Sequence, residues 1–197
     1  MVKNPVTLKH LDIILASGSP RRQMLLKEAG ITFRVVLREV DETFPPDLHY
    51  KDVAEYLALK KADAYNDLLK NNIVVITADT LVFLKEQIVN KPSDFDEAVE
   101  MLKLLSGSTH DVVTGVCISS ATKKDVFHIL TKVYFRELEE EEIYFYIENY
   151  KPYDKAGSYG AQDWIGLTGI EKIEGSYFNV MGLPVMELYQ HLKSFSI

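Results

Sequence analysis

The run Ile73-Val74-Val75-Ile76-Thr77 constrains this chain more than any other stretch. It is continuous, β-branched and too short for an ordinary helix, so it reads as a strand apolar on both faces. A strand of that kind needs cover on both sides, which points to an α/β fold. The run is expected to deliver Asp79 to its end. Ligands in open α/β sheets lie outside the carboxyl ends of strands, so an acid there is a candidate for chemistry. An aspartate opening a turn or a cap is the plain alternative.

A second stretch has the same logic. Ile13-Ile14-Leu15-Ala16 reads as a buried strand, Ser17-Gly18-Ser19 as a small-residue turn, and Pro20 as the first residue of a helix capped by Ser19. Met24, Leu25, Leu26 and Ala29 supply the apolar face of that helix, which stops at Gly30. Free N–H groups and the positive end of the helix dipole then point beyond the strand end. Arg21 and Arg22 in the first turn oppose the usual preference for acids there, unless an anion sits among them. The pattern therefore predicts a phosphate site, although solvated arginines on an ordinary capped helix fit it locally. It is not a P-loop, because the Gly-x-x-x-x-Gly-Lys-Ser/Thr spacing is absent.

With 197 residues, 47% of them hydrophobic, the chain can bury one substantial core. A net charge of −7 argues against non-specific nucleic-acid binding, so a polyphosphate ligand must meet a local basic cluster, a metal ion, or both. The single cysteine, Cys117, has no internal disulfide partner and reads as a core residue, which fits a reducing cytoplasm. The stretch Met1 to Leu11 reads as neither signal peptide nor anchor, and no run approaches the ~18 apolar residues of a membrane span.

Further elements follow in order. Phe33 to Leu37 is expected as a strand leading Glu39, Asp41 and Glu42 into a Pro45-Pro46 loop. Those acids are either solvated or include a ligand for a hard divalent cation. A helix is expected over Asp52 to Leu69, carrying Lys60 and Lys61, one of which turns inward. Leu81 to Leu84 and Ile88-Val89 read as a hairpin, and Ser93 to Asp96 as a capping box before a helix ending at Ser106-Gly107. Thr109 to Ser119 and Val126 to Phe135 are expected strands, and Glu139 to Glu142 opens a helix reaching about Tyr150. The glycine-rich segment Asp154 to Gln162 either makes turns or lets backbone approach a flat heterocycle, with the Gln162 amide at a base edge. Ile170 to Ile173 and Tyr177 to Met181 read as strands, and Pro184 opens the last helix.

Taken together, Leu15-Ala16-Ser17-Gly18-Ser19-Pro20-Arg21-Arg22, Ala78-Asp79-Thr80, Lys91-Pro92, Leu105 to His110, Asp154 to Gln162 and Asn179-Val180-Met181-Gly182-Leu183-Pro184 resemble the Maf-like nucleoside triphosphate pyrophosphatases, in order along the chain. The resemblance implies one domain over 1–197 of the inosine-triphosphatase-like α/β fold, a mixed twisted sheet flanked by helices with a cleft between two lobes. It also implies a cytoplasmic, metal-dependent enzyme (Mg2+, or Mn2+ and similar ions), commonly a homodimer, cleaving a nucleoside triphosphate to the monophosphate and pyrophosphate.

Within that family Asp79 takes the place of the general base. Ser17, Arg21, Arg22, Lys61 and Lys91 fall on the phosphate side, and Glu42 with Asp79 on the metal side. Arg21, Thr80 and Gln162 match the branch acting on dTTP and UTP rather than the one acting on 7-methyl-GTP. A non-catalytic nucleotide sensor in cell-division control is the alternative from another class. Two departures stand out: Ala161-Gln162-Asp163-Trp164 replaces the family's usual Ile-Gln-Gly, and the hairpin carries Lys85-Glu86 in place of Asp-Gly or Asn-Gly.

Overall fold

The computed structural model describes Leu8 and residues 10–195. Most of the N-terminal stretch expected to lack a leader or anchor lies outside the described residues. The elements are β1 (Asp12–Leu15), α1 (Pro20–Glu28), β2 (Arg34–Val35), α2 (Tyr50–Asp63), β3 (Ile73–Leu84), β4 (Gln87–Val89), α3 (Phe95–Leu105), β5 (Thr109–Ser119), β6 (Lys124–Phe135), α4 (Glu140–Tyr150), α5 (Trp164–Gly169), β7 (Ile170–Glu174), α6 (Tyr177–Val180) and α7 (Val185–Ser194). The fold is mixed α/β, with strand order β2-β1-β3-β5-β6-β7 and β4 paired on β3. The chain divides into two compact units.

The first unit holds the chain up to Asp79, Thr114–His128 and the segment from Gly182. β1 pairs in parallel with β2 and with β3, its last rung joining Leu15 to Ile76. Asp79 lies three residues beyond that rung, past the carboxyl end of the parallel pair. The strand does not stop there as expected. β3 runs on for twelve residues: Thr77-Ala78-Asp79-Thr80 contains neither glycine nor proline to break it, and the far end is held by pairing with β4.

β2 is shorter than the expected Phe33 to Leu37. Its register ends where β1 ends, at Leu15 and Val35, with one more bond from the Val36 N–H to the Leu15 carbonyl at 3.3 Å. α2 likewise stops at Asp63 rather than Leu69, and a 3-10 turn follows over Asn66–Leu68. There the Asp67 carboxylate accepts from Arg38, and the buried Tyr65 donates its hydroxyl to the Val36 carbonyl at 3.1 Å. Apolar groups Ile14, Tyr65 and Val75 form one core cluster, and Ala58, Ala62 and Cys117 another. Gly115 on β5 lets α2 approach at backbone distance: a Cβ there would lie 2.1 Å from the Ala54 carbonyl oxygen.

The second unit comprises Thr80–Val113 and Ile129–Met181. The far end of β3 turns back onto β4 from Leu84 to Gln87, so the expected hairpin forms. Its two turn residues, Lys85 (φ 49°) and Glu86 (φ 67°), both occupy the left-handed region that side chains avoid.

α3 is capped one residue later than expected. Asp94 accepts from the Glu97 N–H at 2.9 Å, while the Ser93 N–H and hydroxyl both donate to Glu97 Oε2 at 2.7 Å. α4 opens as expected on its acids, with Glu139 and Glu142 forming a capping box. Tyr177 to Met181 is not a strand. Ser176 accepts from the Asn179 N–H and starts the single turn of α6, and the buried Asn179 amide donates to the Val112 carbonyl and to Thr131 Oγ1. A local side-chain cap thus overrides the β-propensity of Tyr177, Phe178 and Val180. α5 was not expected from the sequence. Its apolar partners sit in the large core of this unit, built on residues such as Leu102, Leu105, Tyr146 and Ile165.

Candidate active site

The first unit gathers Ser17, Arg22, Glu42, Lys61 and Asp79. In a strand, side chains two apart share a face, and Thr77 and Asp79 both turn toward α2. Thr77 Oγ1 donates to the Ala58 carbonyl at 2.7 Å, and one helical turn on, Lys61 Nζ donates to Asp79 Oδ1 at 2.5 Å. Lys61 also lies 2.7 Å from Glu42 Oε1. One ammonium therefore holds two carboxylates: Lys61 and Asp79 side chains keep 16% and 11% of their exposure, Glu42 keeps 51%. Of the two lysines expected on α2, Lys61 is the inward one. Lys60 reaches Asp41 and the Thr43 carbonyl at the surface.

Arg22 frames the other side. Its Nε donates to the Gly182 carbonyl at 2.8 Å, and Nη1 donates to the Ala78 carbonyl at 2.8 Å and to Ser17 Oγ at 3.3 Å. Burial lowers its guanidinium from the ordinary value, while the nearby charges of Asp79 and Glu42 oppose that shift. A guanidinium remains charged throughout the accessible pH range. Ser17 is buried at the end of β1, and Ser19 caps α1 by accepting from the Arg22 N–H at 3.5 Å. Arg21 stands in the first turn of α1, one residue along from Arg22.

Among the described residues no group of three or more His, Cys, Asp or Glu is arranged to hold a metal ion. Two carboxylates, Glu42 and Asp79, do converge on one cation, which here is the Lys61 ammonium. That donor set fits a magnesium-like ion, which is commonly held by one or two carboxylates with substrate phosphates and water completing its shell.

Thr80, Lys91 and Gln162 belong to the second unit. Strand alternation turns Thr80 to the face of β3 opposite Asp79. Lys91 is exposed after β4. Gln162 sits in a hydrogen-bonded cluster that the sequence did not disclose. Its Nε2 donates to Asp163 Oδ1 at 2.9 Å, Tyr146 donates its hydroxyl to Asp163 Oδ2 at 2.8 Å, and the Gly160 N–H donates to that same tyrosine oxygen at 3.1 Å. Lys155 Nζ lies 3.8 Å from Asp163 Oδ2. Burial and the Asp163 charge both raise the Tyr146 hydroxyl's pKa, keeping it a donor.

Beside this cluster, His110 Nε2 and the Tyr159 hydroxyl lie 2.7 Å apart, both buried. Burial drives the His110 pKa down to about 4 and raises that of Tyr159. In sequence, Asp163 registered only as a departure from a motif, and Tyr146 only as a position within the helix expected to reach about Tyr150. The signal for their partnership was Gly160, whose missing Cβ leaves the room they use: a Cβ there would lie 2.5 Å from Asp163 Oδ2 and 2.6 Å from Gln162 Nε2.

Known proteins give this geometry a context. The chain is 45% identical over 185 residues to a dTTP/UTP pyrophosphatase of Flavobacterium johnsoniae, covering 94% of this chain and 95% of that one. It is 49% identical over 187 residues to a dTTP/UTP pyrophosphatase of Phocaeicola vulgatus, covering 94% and 97%. Among solved structures, the Staphylococcus aureus Ham1 protein shares 16% identity at a TM-score of 0.44, covering 63% of this chain and 71% of that one, too distant to carry an inference. The profile of the Maf-like protein family matches residues 12–195, and the chain belongs to that family.

Proposed function

We propose that this chain hydrolyses UTP and dTTP to the monophosphate and pyrophosphate. The observation that carries the reading is the Asp79–Lys61–Glu42 cluster beside Arg22 and the start of α1, in a chain whose relatives, at 45–49% identity, are named dTTP/UTP pyrophosphatases. Water attacks the α-phosphorus, the bond from that phosphorus to the α,β-bridging oxygen breaks, and pyrophosphate leaves with its electron pair. Asp79 accepts the proton of the attacking water or holds that water in line. Lys61, Arg21, Arg22 and Lys91 stabilise the charge on the phosphate oxygens, and Ser17 offers a hydroxyl to them.

Glu42 and Asp79 would hold a divalent ion, which supplies charge neutralisation on the triphosphate when bound. Lys61 must then give up at least one of its two carboxylates. Gln162 reads the polar edge of the pyrimidine, and Thr80 and Arg21 set the size of the base pocket. The enzyme works as a cytoplasmic homodimer; among the described residues no helix is long and apolar enough to cross a membrane.

Pyrophosphate release from a panel of nucleoside triphosphates with added magnesium tests this reading. UTP and dTTP should dominate. Dominance of 7-methyl-GTP or ITP, orthophosphate as the product, or nucleotide binding without turnover would each replace it.

A further inference from the structure

A glutamine amide is ambidextrous. With its oxygen and its NH2 on one edge it pairs with the imide of uracil or thymine, accepting from N3–H and donating to a flanking carbonyl. Rotated by half a turn it pairs equally well with cytosine, donating to N3 and accepting from the 4-amino group. A freely turning glutamine therefore does not separate uridine from cytidine nucleotides.

In this chain the amide is not free to turn. Its Nε2 donates to Asp163 Oδ1 at 2.9 Å, and a carboxylate, which only accepts, refuses the oxygen end of the amide. Asp163 is itself held: its other oxygen takes the Tyr146 hydroxyl at 2.8 Å, and that hydroxyl oxygen takes the Gly160 N–H at 3.1 Å. The opposite end of the amide, Gln162 Oε1, is buried and finds no donor. A buried acceptor without a donor is unfavourable, a deficit that an arriving N–H removes. Any side chain at position 160 would collide with both Asp163 and Gln162, so the close approach rests on that glycine.

We propose that Asp163 is a positioning residue for base selection: by fixing which end of the Gln162 amide faces the ligand, it makes the site accept an imide N3–H, as in uracil and thymine, and reject cytosine. The inference rests on the pyrimidine reading above and deepens it. A site whose buried polar groups are left unpaired by the wrong base discriminates strongly, and a one-way acceptor facing the N3 lone pair of cytosine is such a site.

The test compares UTP and CTP turnover in the full-length wild type and in Asp163→Asn, which keeps the shape but lets position 163 donate as well as accept. The wild type should prefer UTP over CTP by at least ~100-fold in kcat/KM. Asp163→Asn should reduce that preference at least ~10-fold, through a higher KM for UTP and a gain with CTP, with kcat for UTP little changed. A merely structural role would lower both substrates together and leave their ratio intact, which would overturn the proposal; so would equal use of UTP and CTP by the wild type.

Should Asp163→Asn fail to fold, UTP methylated at N3 decides the matter on the wild type. It lacks the donor that Gln162 Oε1 requires, so turnover at the rate of UTP would overturn the proposal, and loss of turnover supports it. Absence of pyrophosphate release from UTP and dTTP alike would instead remove the underlying reading of function.

Discussion

The two clusters use opposite physics. In the first unit, Lys61 at the end of α2, Asp79 on β3, Glu42 in a loop and Arg22 at the start of α1 are charged groups held at 2.5–2.8 Å from their partners. In the second, Gln162, Asp163, Tyr146 and Gly160 form a directional network around one carboxylate, and His110 with Tyr159 forms a neutral pair in the core. Charges suit a ligand part that is always anionic, whatever the base. Directional bonds suit a part whose identity matters. On the proposed reading, the contrast assigns binding strength and base selectivity to different residues, so they should be separable by mutation.

The strongest attempt to break that separation is Asp79→Asn. Turnover should fall by about two to four powers of ten with the fold intact and the ranking of bases unchanged. Pyrophosphate release across the triphosphate panel checks both halves of the statement. A change in base ranking would show that the charged cluster takes part in selection after all.

Arg22→Lys sharpens the comparison by asking what the half-buried guanidinium does. Its fork donates to carbonyls of two chain segments 104 residues apart, Ala78 and Gly182, which a lysine ammonium cannot reproduce. A stability loss of about 2–3 kcal/mol in urea melts is expected, since removing charged donors from buried acceptors leaves those acceptors unmet. No loss would mean that the arginine serves the ligand alone.

The neutral pair in the second unit has its own signature in pH. Unfolded, His110 binds a proton near its ordinary value of 6.5; folded, only near 4. Between those values the unfolded chain carries more protons, so stability rises with pH across the window and falls as the solution is acidified. The loss between pH 7 and pH 5 should be roughly 2 kcal/mol, and His110→Gln should flatten it. An unchanged slope in the variant would assign the acid sensitivity elsewhere.

The smallest effect lies in the hairpin that the second unit builds on Lys85 and Glu86. Both adopt positive φ, so Glu86→Gly should raise stability by about 0.5–1 kcal/mol without touching turnover. Thermal melting checks the first and steady-state kinetics the second.

How much of this the sequence disclosed depends on how local the cause is. Thr109 to Ser119, the Ser19 cap and the acid start at Glu139 were readable because each is decided by neighbours in the chain. Asp79 was found, but as the end of a strand, since nothing local says that β3 continues to Leu84; its second half is set by the β4 partner. The ligation of Arg22 to two backbone carbonyls was hidden for the same reason, because Ala78 and Gly182 become its neighbours only on folding. Tyr177 to Met181, expected as a strand, is not one because one serine cap and one buried asparagine outweigh three strand-forming side chains. Asp163 was visible as an oddity, and its meaning needed the hydroxyl of Tyr146, 17 residues earlier.

The placement of Asp79 inside a twelve-residue strand has one more consequence. An acid carried on a loop has backbone hinges on either side, and ordering them at each turnover costs conformational entropy. An acid carried in mid-strand has none, so that ordering is completed once, when the protein folds. On the proposed reading, the catalytic step should therefore show little entropic barrier from arranging the carboxylate itself, in contrast to the ammonium that Lys61 carries to it on a flexible stem.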